Sequence, residues 1–328
     1  LGYKHYADDV VDEFCGKSID NGIDIIRIFD ALNDVRNLEQ AIKSTKKYGG
    51  QVEATLSYTI SPIHNEDYFV KLAKELEQMG ADALCIKDMA NLLLPEAAYS
   101  LISRLKAEID VPIHLHTHNT TDNQIATYLM AAEAGVDVVD TAIGPLANLT
   151  SQPSMNAVVE SLRGQERDTG FDPQRLQELA DYWADVRLRY ESFDKGLKVP
   201  VTDIYRYEIP GGQYTNLQPQ VESLGLGHRF AEVKEMYRTV NIMLGDIIKV
   251  TPSSKMVGDL AIFMVQNDLT PENIVERGET LAFPDSVVSY FKGMMGQPPC
   301  GFPEDLQRVV LKGEQPITGR PGDLLPPV

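Results

Sequence analysis

Three histidines at alternate positions form the first candidate site. They are His114, His116 and His118, in the segment 112–119. If this segment is a β-strand, its two-residue period turns the three imidazoles to one face and the intervening residues to the other. His116 and His118 would then converge near the end of the strand, with a spacing that suits two ligands of one divalent ion. Histidines hydrogen-bonded within a wet loop would explain the same pattern without a metal.

A lysine one apolar segment earlier could face the same interior. In Cys85-Ile-Lys-Asp-Met-Ala90, a strand would carry Lys87 toward the histidines. A buried ammonium beside a metal cation is strongly disfavoured, so Lys87 would either lose its proton or react with CO2 to become a carbamate, an anionic oxygen ligand. The alternative is an ordinary ion pair with Asp88 or Asp140 at the rim. Taken alone, Lys87 favours the ion pair.

The elements that would position these residues recur along the first half of the chain. Between five short apolar segments lie helical patterns, one of which begins after the cap residue Asn65 and closes at Gly80. A strand–helix unit of about thirty residues is typical of parallel barrels, whose active sites lie at the carboxyl ends of the strands. The predicted strands are 23–29, 52–58, 83–87, 112–118 and 136–141.

An eight-stranded barrel needs about 250 residues, but the alternation of strands and helices stops near Gly164 after five units. We therefore predict an α/β fold, a TIM-type (β/α)8 barrel that is N-terminally incomplete, followed by a mostly helical domain. The predicted boundaries are 1–165 for the partial barrel with the metal site, 166–320 for a helical, funnel-like domain and 321–328 for the start of a linker.

Helix-start signals dominate the second half. A capping residue followed by proline occurs at Asp172-Pro173, Thr251-Pro252 and Thr270-Pro271. The first of these helices would place five apolar side chains on a single face: Leu176, Leu179, Trp183, Val186 and Tyr190. A proline-rich stretch ends the chain, which favours an exit into a linker.

Composition excludes several classes of protein. The 328 residues contain 30 Lys and Arg against 48 Asp and Glu, a formal charge of -18, and such a surface repels nucleic acid and anionic lipid. No apolar run is long enough to span a membrane. The three cysteines contain no CxxC pair, which argues against thiolate zinc sites and fits a reducing compartment. We therefore expect a cytoplasmic or mitochondrial-matrix protein.

The two candidate segments together resemble the metal site of the pyruvate carboxylase family, in its carboxyltransferase domain. Further similar motifs follow in the same order through the helical half, and the resemblance covers essentially the whole chain. These motifs are Leu149-Thr-Ser-Gln-Pro-Ser154, Glu208-Ile-Pro-Gly-Gly-Gln-Tyr-Thr-Asn-Leu217, Leu244-Gly-Asp-Ile-Ile-Lys-Val-Thr-Pro-Ser-Ser-Lys255 and Phe263-Met-Val-Gln-Asn267.

The resemblance implies a carboxyltransferase that moves a carboxyl group from carboxybiotin to pyruvate and so forms oxaloacetate. It implies a divalent metal, manganese or zinc, held by Lys87 as a carbamate together with His116 and His118. Biotin would come from a separate biotinyl carrier domain, because the family's Ala-Met-Lys-Met attachment sequence is absent. The complete enzyme would be a homo-oligomer.

Four further residues take roles only through the resemblance. Thr251 matches the threonine that shuttles a proton between the pyruvate methyl group and biotin, although Thr before Pro is also an ordinary helix cap. Tyr3, Ser254 and Lys255 match positions that line the biotin and substrate pocket. Their alternatives are packing for Tyr3, capping for Ser254 and a solvated charge for Lys255.

The sequence also departs from the family. Where the family often has Asp-Thr-Ser-Gly, this chain has Asn119-Thr-Thr-Asp122, which puts a glycine-type backbone in doubt. The family's aspartate ligand and its substrate arginines lie upstream of Leu1, so residues 1–328 alone are expected to be inactive and to hold metal poorly. Oxaloacetate decarboxylase or transcarboxylase subunits, an acetyl-CoA aldol-type synthase and a non-catalytic fragment remain alternatives.

Overall fold

The computed structural model describes residues 4–194 and 197–328. Its sheet has five parallel strands, and their order in the sheet is their order in the chain. All five predicted strands are present, with ends that differ by a few residues: β1 (Ile25–Ile28), β2 (Gln51–Ser57), β3 (Ala83–Asp88), β4 (Ile113–Thr117) and β5 (Val138–Val139).

The central strands are covered on both sides, as parallel sheets require. Six of the seven residues of β2 are buried. In β4 the burial alternates, with Ile113, Leu115 and Thr117 fully buried and the histidines between them partly accessible. This confirms the two-residue period predicted for the segment. The β3–β4 register pairs Lys87 with His116 across the sheet.

A helix separates each strand from the next, as the thirty-residue repeat predicted. The side chain of Asn65 caps α3 (Glu66–Gln78) by accepting a hydrogen bond from the Tyr68 amide, and Gly80, just after the helix, has a φ of 100°. The helices that follow β1 pack their apolar faces onto the strands and form a hydrophobic cluster with them. The helices of this half are α1 (Asp8–Asp20), α2 (Glu39–Lys47), α3 (Glu66–Gln78), α4 (Pro95–Glu108), α5 (Gln124–Glu133) and α6 (Met155–Leu162).

The second half of the described chain is mostly helical, as predicted. Its apolar side chains form another hydrophobic cluster around α11 (Ser253–Gln266), and this helix is buried along most of its length. The helices are α7 (Pro173–Leu188), α8 (Ile204–Tyr207), α9 (Gly211–Ser223), α10 (Phe230–Met243), α11 (Ser253–Gln266), α12 (Ile274–Gly278), α13 (Asp285–Phe291) and α14 (Glu304–Leu311).

Two of the three capping predictions are wrong. Asp172 caps α7 through the amide of Gln174 as expected. By contrast, Thr251 makes no capping bond to α11, whose cap position is Pro252. Thr270 lies before the turn that leads into α12, whose cap position is Asn273. Other side chains bond the backbone at these positions: Ser253 Oγ accepts from the amide of Val250, and Asn273 Oδ1 accepts from the amide of Thr270.

The predicted apolar face of α7 is only partly buried in this chain. Leu176 is buried, but Leu179 and Tyr190 are more than half exposed and Trp183 is 37% exposed. At the far end of the chain, residues 321–328 contact α1, since the backbone amide of Val328 donates to Asp9. In the part of the chain that the structure describes, no helix has both the length and the apolar character needed to cross a lipid bilayer.

Candidate active site

The ends of β3 and β4 bring three of the predicted site residues together. Lys87 and His116 are neighbours across the two strands, and His118 follows the last residue of β4. The imidazole rings of His116 and His118 meet edge to face, with centroids 5.4 Å apart. The structure therefore places both histidines and the lysine at the carboxyl edge of the sheet.

Each of the two histidines has one buried ring nitrogen with no hydrogen-bond partner among the described residues. These atoms are Nε2 of His116 and Nδ1 of His118. Unpaired buried nitrogens are costly unless a ligand satisfies them. They are also the atoms through which neutral imidazole binds a divalent ion. The two nitrogens could therefore supply two protein ligands to one divalent ion.

The surroundings keep both rings neutral. Burial lowers the pKa of His118 to about 4, and the nearby His116 and Lys87 add to this effect. Burial also lowers the pKa of His116, despite its hydrogen bond to Asp140. A neutral imidazole has a free lone pair, so both histidines can act as ligands at neutral pH.

Lys87 has no carboxylate partner among residues 4–194 and 197–328. Its ammonium lies 3.0 Å from the Met89 sulfur and 4.9 Å from the centre of the Phe29 ring. Burial lowers the pKa of Lys87, which increases the fraction of neutral amine. The ion pair considered as the alternative is absent, because Asp88 accepts bonds from the amides of Leu92 and Leu93 and Asp140 bonds to other side chains.

Beneath the two histidines lies a network of four charged side chains, here called the strand network: Arg27, Glu53, His114 and Asp140. The carboxylate of Glu53 accepts from Arg27 Nε and, at 2.6 Å, from His114 Nδ1. His114 Nε2 donates to Asp140 Oδ1 at 2.8 Å, and Arg27 donates to Asp140 Oδ2 at 2.7 Å. The network joins β1, β2, β4 and the residue after β5.

Charges balance within the strand network. Burial disfavours the His114 cation, but the hydrogen bonds to Asp140 and Glu53 outweigh burial and raise the pKa of His114 to about 9. Burial likewise opposes ionisation of Asp140, yet bonds from His114, His116 and Arg27 hold the pKa of Asp140 well below its usual range. Because both His114 nitrogens then donate to carboxylates, Arg27 Nη2 makes no hydrogen bond to the ring, although it lies 3.1 Å from Nδ1 and 3.3 Å from Nε2.

Sequence reasoning missed this network, although each member interrupts an apolar strand. Arg27, Glu53 and Asp140 each stand among aliphatic residues of a predicted strand, and a charge at such a position needs a buried partner. That signal could have identified the three residues. It could not have identified their partners, because Arg27 and Asp140 are 113 positions apart.

Thr251 lines two cavities. One, of about 490 Å³, is lined in part by Met89, Ser254 and Lys255; the other, of about 370 Å³, is lined in part by Arg27 and Phe29. Met89 lines the larger cavity and Phe29 the smaller one, and both contact Lys87. A hydroxyl there is free of capping and can both donate and accept a proton.

The remaining predicted pocket residues differ in their surroundings. Ser254 is buried, and its amide bonds to Val250. Lys255 lines the larger cavity, but its side chain is 54% exposed and pairs with Asp259. Tyr3, predicted for the same pocket, lies outside the described residues.

The departure from glycine at position 122 is accommodated locally. Asp122 takes the left-handed backbone, with φ 64°, which aspartate tolerates better than most residues. Asn119 supports the turn, since its side-chain oxygen accepts from the amide of Gln124 and its nitrogen donates to Asn148 at 2.8 Å. The loop after the histidines is thus ordered without a glycine.

The residues present fit a divalent metal. In residues 4–194 and 197–328 no three His, Cys, Asp or Glu side chains are arranged to hold an ion. An ion bound by the imidazoles of His116 and His118 would therefore need further ligands of another kind. A carbamate on Lys87 would supply an oxygen ligand from the neighbouring strand. This donor set suits either zinc or manganese.

Two family descriptions match successive parts of the chain. Residues 29–182 match the family described as HMGL-like, and residues 204–328 match the family described as Conserved carboxylase domain. Strands β2 to β5 and the histidines fall in the first match, and Thr251 falls in the second. The parallel-sheet half thus has the fold of a carboxyltransferase TIM-type barrel.

Individual proteins are similar over the whole chain. Pyruvate carboxylase of Bacillus subtilis is 51% identical and mitochondrial pyruvate carboxylase of Rattus norvegicus 46% identical, each covering 100% of this chain. The chain spans 29% of the length of each relative. The carboxyl transferase domain of Rhizobium etli pyruvate carboxylase, solved with pyruvate and biocytin, is 45% identical with a TM-score of 0.97, and the match covers 100% of this chain and 56% of that one.

Site geometry, both family matches and the identity to full-length relatives agree with the motifs found in the sequence. The chain belongs to the pyruvate carboxylase family and corresponds to part of its carboxyltransferase domain.

Proposed function

We propose that the complete enzyme containing this chain transfers a carboxyl group from carboxybiotin to pyruvate and forms oxaloacetate. The observation that carries the proposal is that Lys87 is paired in register with His116, while His116 and His118 each have an unpaired buried nitrogen. Met89 and Phe29, which contact Lys87, line the two cavities that Thr251 also lines. The solved domain of Rhizobium etli binds pyruvate and biocytin, which are the two partners this chemistry needs.

A divalent metal, zinc or manganese, would draw electron density from the pyruvate carbonyl and so acidify its methyl group. His116, His118 and a Lys87 carbamate would hold this ion. The three residues lie at the carboxyl ends of β3 and β4, and barrel enzymes bind their substrates at this end of the strands.

Thr251 would move the proton. Its hydroxyl would give its proton to the biotin nitrogen that loses the carboxyl group and would take one from the pyruvate methyl carbon, which then bonds to the released carboxyl carbon. The exchange leaves the threonine unchanged. General acid–base groups of this kind contribute about 10²- to 10⁴-fold in rate.

Ser254 and Lys255 would border the biotin ring in the larger cavity, and Tyr3 would complete that pocket. Biotin would arrive on a carrier domain outside this chain, and the complete enzyme would be a homo-oligomer.

An isotope exchange assay with the full-length enzyme tests the proposal. Radiolabelled pyruvate should exchange label with oxaloacetate, and the exchange should stop when the same enzyme is prepared without biotin. Irreversible release of CO2 from oxaloacetate with no exchange would instead favour a decarboxylase. Exchange that requires a different carboxyl acceptor would favour a transcarboxylase subunit.

A further inference from the structure

Asp140 is the side chain that connects the strand network to the predicted metal ligand His116. Its Oδ2 lies 2.7 Å from His116 Nδ1. An ionised carboxylate only accepts hydrogen bonds, so Nδ1 must carry the hydrogen. A neutral imidazole has a single N–H, and therefore Nε2 of His116, the buried nitrogen without a partner, carries the lone pair.

We propose that Asp140 is a positioning residue that fixes the Nδ1–H tautomer and the ring orientation of His116, so that Nε2 is the atom offered to a divalent metal ion. The inference rests on the proposed function, because it assumes that His116 binds metal. Carboxylates that accept the second N–H of a ligating histidine are a general means of setting its tautomer.

Asp140 is itself held on every side. Its Oδ1 accepts from His114 at 2.8 Å, and Arg27 donates to Oδ2 at 2.7 Å beside His116. The Tyr128 hydroxyl donates to the Asp140 backbone carbonyl at 2.6 Å, which anchors the chain just after β5. Rotation of the carboxylate would break at least two of these bonds, so the acceptor for His116 is fixed in place.

A purely structural role for Asp140 would give a different result. In that case the carboxylate would only join strands, and any carboxylate of the strand network would matter equally. Glu53 provides the matched control, since it is equally part of the network and bonds Arg27 and His114 but has no bond to His116. Glu53→Gln keeps an acceptor oxygen for Arg27 and leaves the bond between Asp140 and His116.

The experiment compares the full-length enzyme with its Asp140→Asn and Glu53→Gln variants. Zinc retention is measured as a competing chelator is added, together with the melting temperature of the metal-free protein. We expect Asp140→Asn to weaken zinc binding about 10- to 100-fold, because the amide can donate to Nδ1 and shift the ring proton to Nε2. Glu53→Gln should weaken zinc binding less than about 3-fold, because Glu53 does not contact the metal ligand His116. The melting temperature of its metal-free form should fall about as much as that of Asp140→Asn.

Zinc binding by Asp140→Asn equal to that of the wild type, or an equal loss in Glu53→Gln, would overturn the inference. A parallel His116→Ala variant distinguishes failure of the proposed metal site from failure of the positioning role of Asp140. Full zinc retention in that variant would contradict the proposed metal site itself, whereas loss of zinc there with retention in Asp140→Asn contradicts only the positioning role.

A measurement without any variant covers the case in which Asp140→Asn does not fold. Neutron diffraction from crystals of the metal-free wild-type enzyme locates the ring hydrogens directly. A hydrogen on His116 Nδ1 supports the inference, and a hydrogen on Nε2 alone overturns it.

Discussion

The ammonium of Lys249 bonds to the carboxylate of Glu208 where no part of the lysine side chain reaches solvent. The ammonium also lies 3.2 Å from the Thr59 hydroxyl, just beyond β2. Burial lowers the pKa of Lys249, and the carboxylate opposes that effect. The pair thus connects the sheet to the segment that carries Thr251, two residues further along the chain.

Lys249→Met should therefore destabilise the enzyme strongly. Removing one member of a buried ion pair leaves the other charge unpaired and costs about 3–5 kcal/mol. Because Glu208 retains some access to solvent, we expect the lower end of this range. Denaturant unfolding of the full-length enzyme measures the change. The double variant Lys249→Met/Glu208→Gln should recover much of the loss, and a double variant no more stable than the single one would contradict this reasoning.

Thr251→Ala should slow carboxyl transfer severely and leave metal content unchanged. The expected loss is about 10²- to 10⁴-fold in the pyruvate–oxaloacetate exchange rate, because a proton-transfer group is removed. Since Thr251 does not cap α11, the melting temperature should change little. Thr251→Ser keeps the hydroxyl and serves as the control, with most of the activity retained. Near-normal exchange in Thr251→Ala would exclude a proton-relay role.

Lys87 should carry a carbamate in the metal-loaded, full-length enzyme. The neutral amine attacks CO2 and releases one proton, and the product is an anionic oxygen ligand in place of a cation beside the metal. A crystal structure should show planar carboxylate density beyond Nζ. Lys87→Met, of similar length, should lose most of its metal. A plain ammonium beside a fully loaded metal would contradict the prediction.

Stability should fall in mild acid in part because of His64. This residue is 4% exposed, and burial followed by the charge of Lys249 lowers its pKa to about 4. The unfolded chain takes up this proton near pH 6.5, but the folded chain does not until about pH 4, so acidification between these values favours unfolding. At one pH unit below 6.5, His64 should lower the free energy of unfolding by about 1.4 kcal/mol.

The variant His64→Phe isolates this contribution. It removes the titrating group, so its free energy of unfolding should decrease less than that of the wild type between pH 7.5 and pH 5.5. Denaturant midpoints at the two pH values give the comparison. Since His116 and His118 are present in both proteins, the difference between them belongs to position 64. Identical decreases would show that His64 is not buried as a neutral ring.

Local patterns predicted most of the fold. The apolar segments identified all five strands, and Asn65 with Gly80 identified the start and the end of α3, because strand burial and helix capping depend on residues close in sequence. The thirty-residue repeat likewise predicted the alternation of strands and helices, and the change of pattern after Gly164 predicted the mostly helical second half. The capping predictions at Thr251 and Thr270 failed because neighbouring Ser253 and Asn273 form the backbone bonds instead.

Long-range partners were beyond the reach of the sequence. Two-residue spacing placed His116 and His118 on one face, but nothing local indicates that His114 donates to Glu53 and Asp140. The ion pair considered for Lys87 does not form, because Asp88 is satisfied by its own loop. Periodicity placed the apolar residues of α7 on one face, but it could not indicate that Leu179 and Tyr190 would be exposed in this chain.

The order of the strands in the sheet has a consequence for biosynthesis. Because each strand pairs with the one made just before it, the sheet can grow one unit at a time as the chain leaves the ribosome. Arg27 and Glu53 can meet early, whereas Asp140 emerges last of the four network residues. Until it does, Arg27 and His114 face only one carboxylate, so docking of the fifth unit completes the charge balance that supports His116.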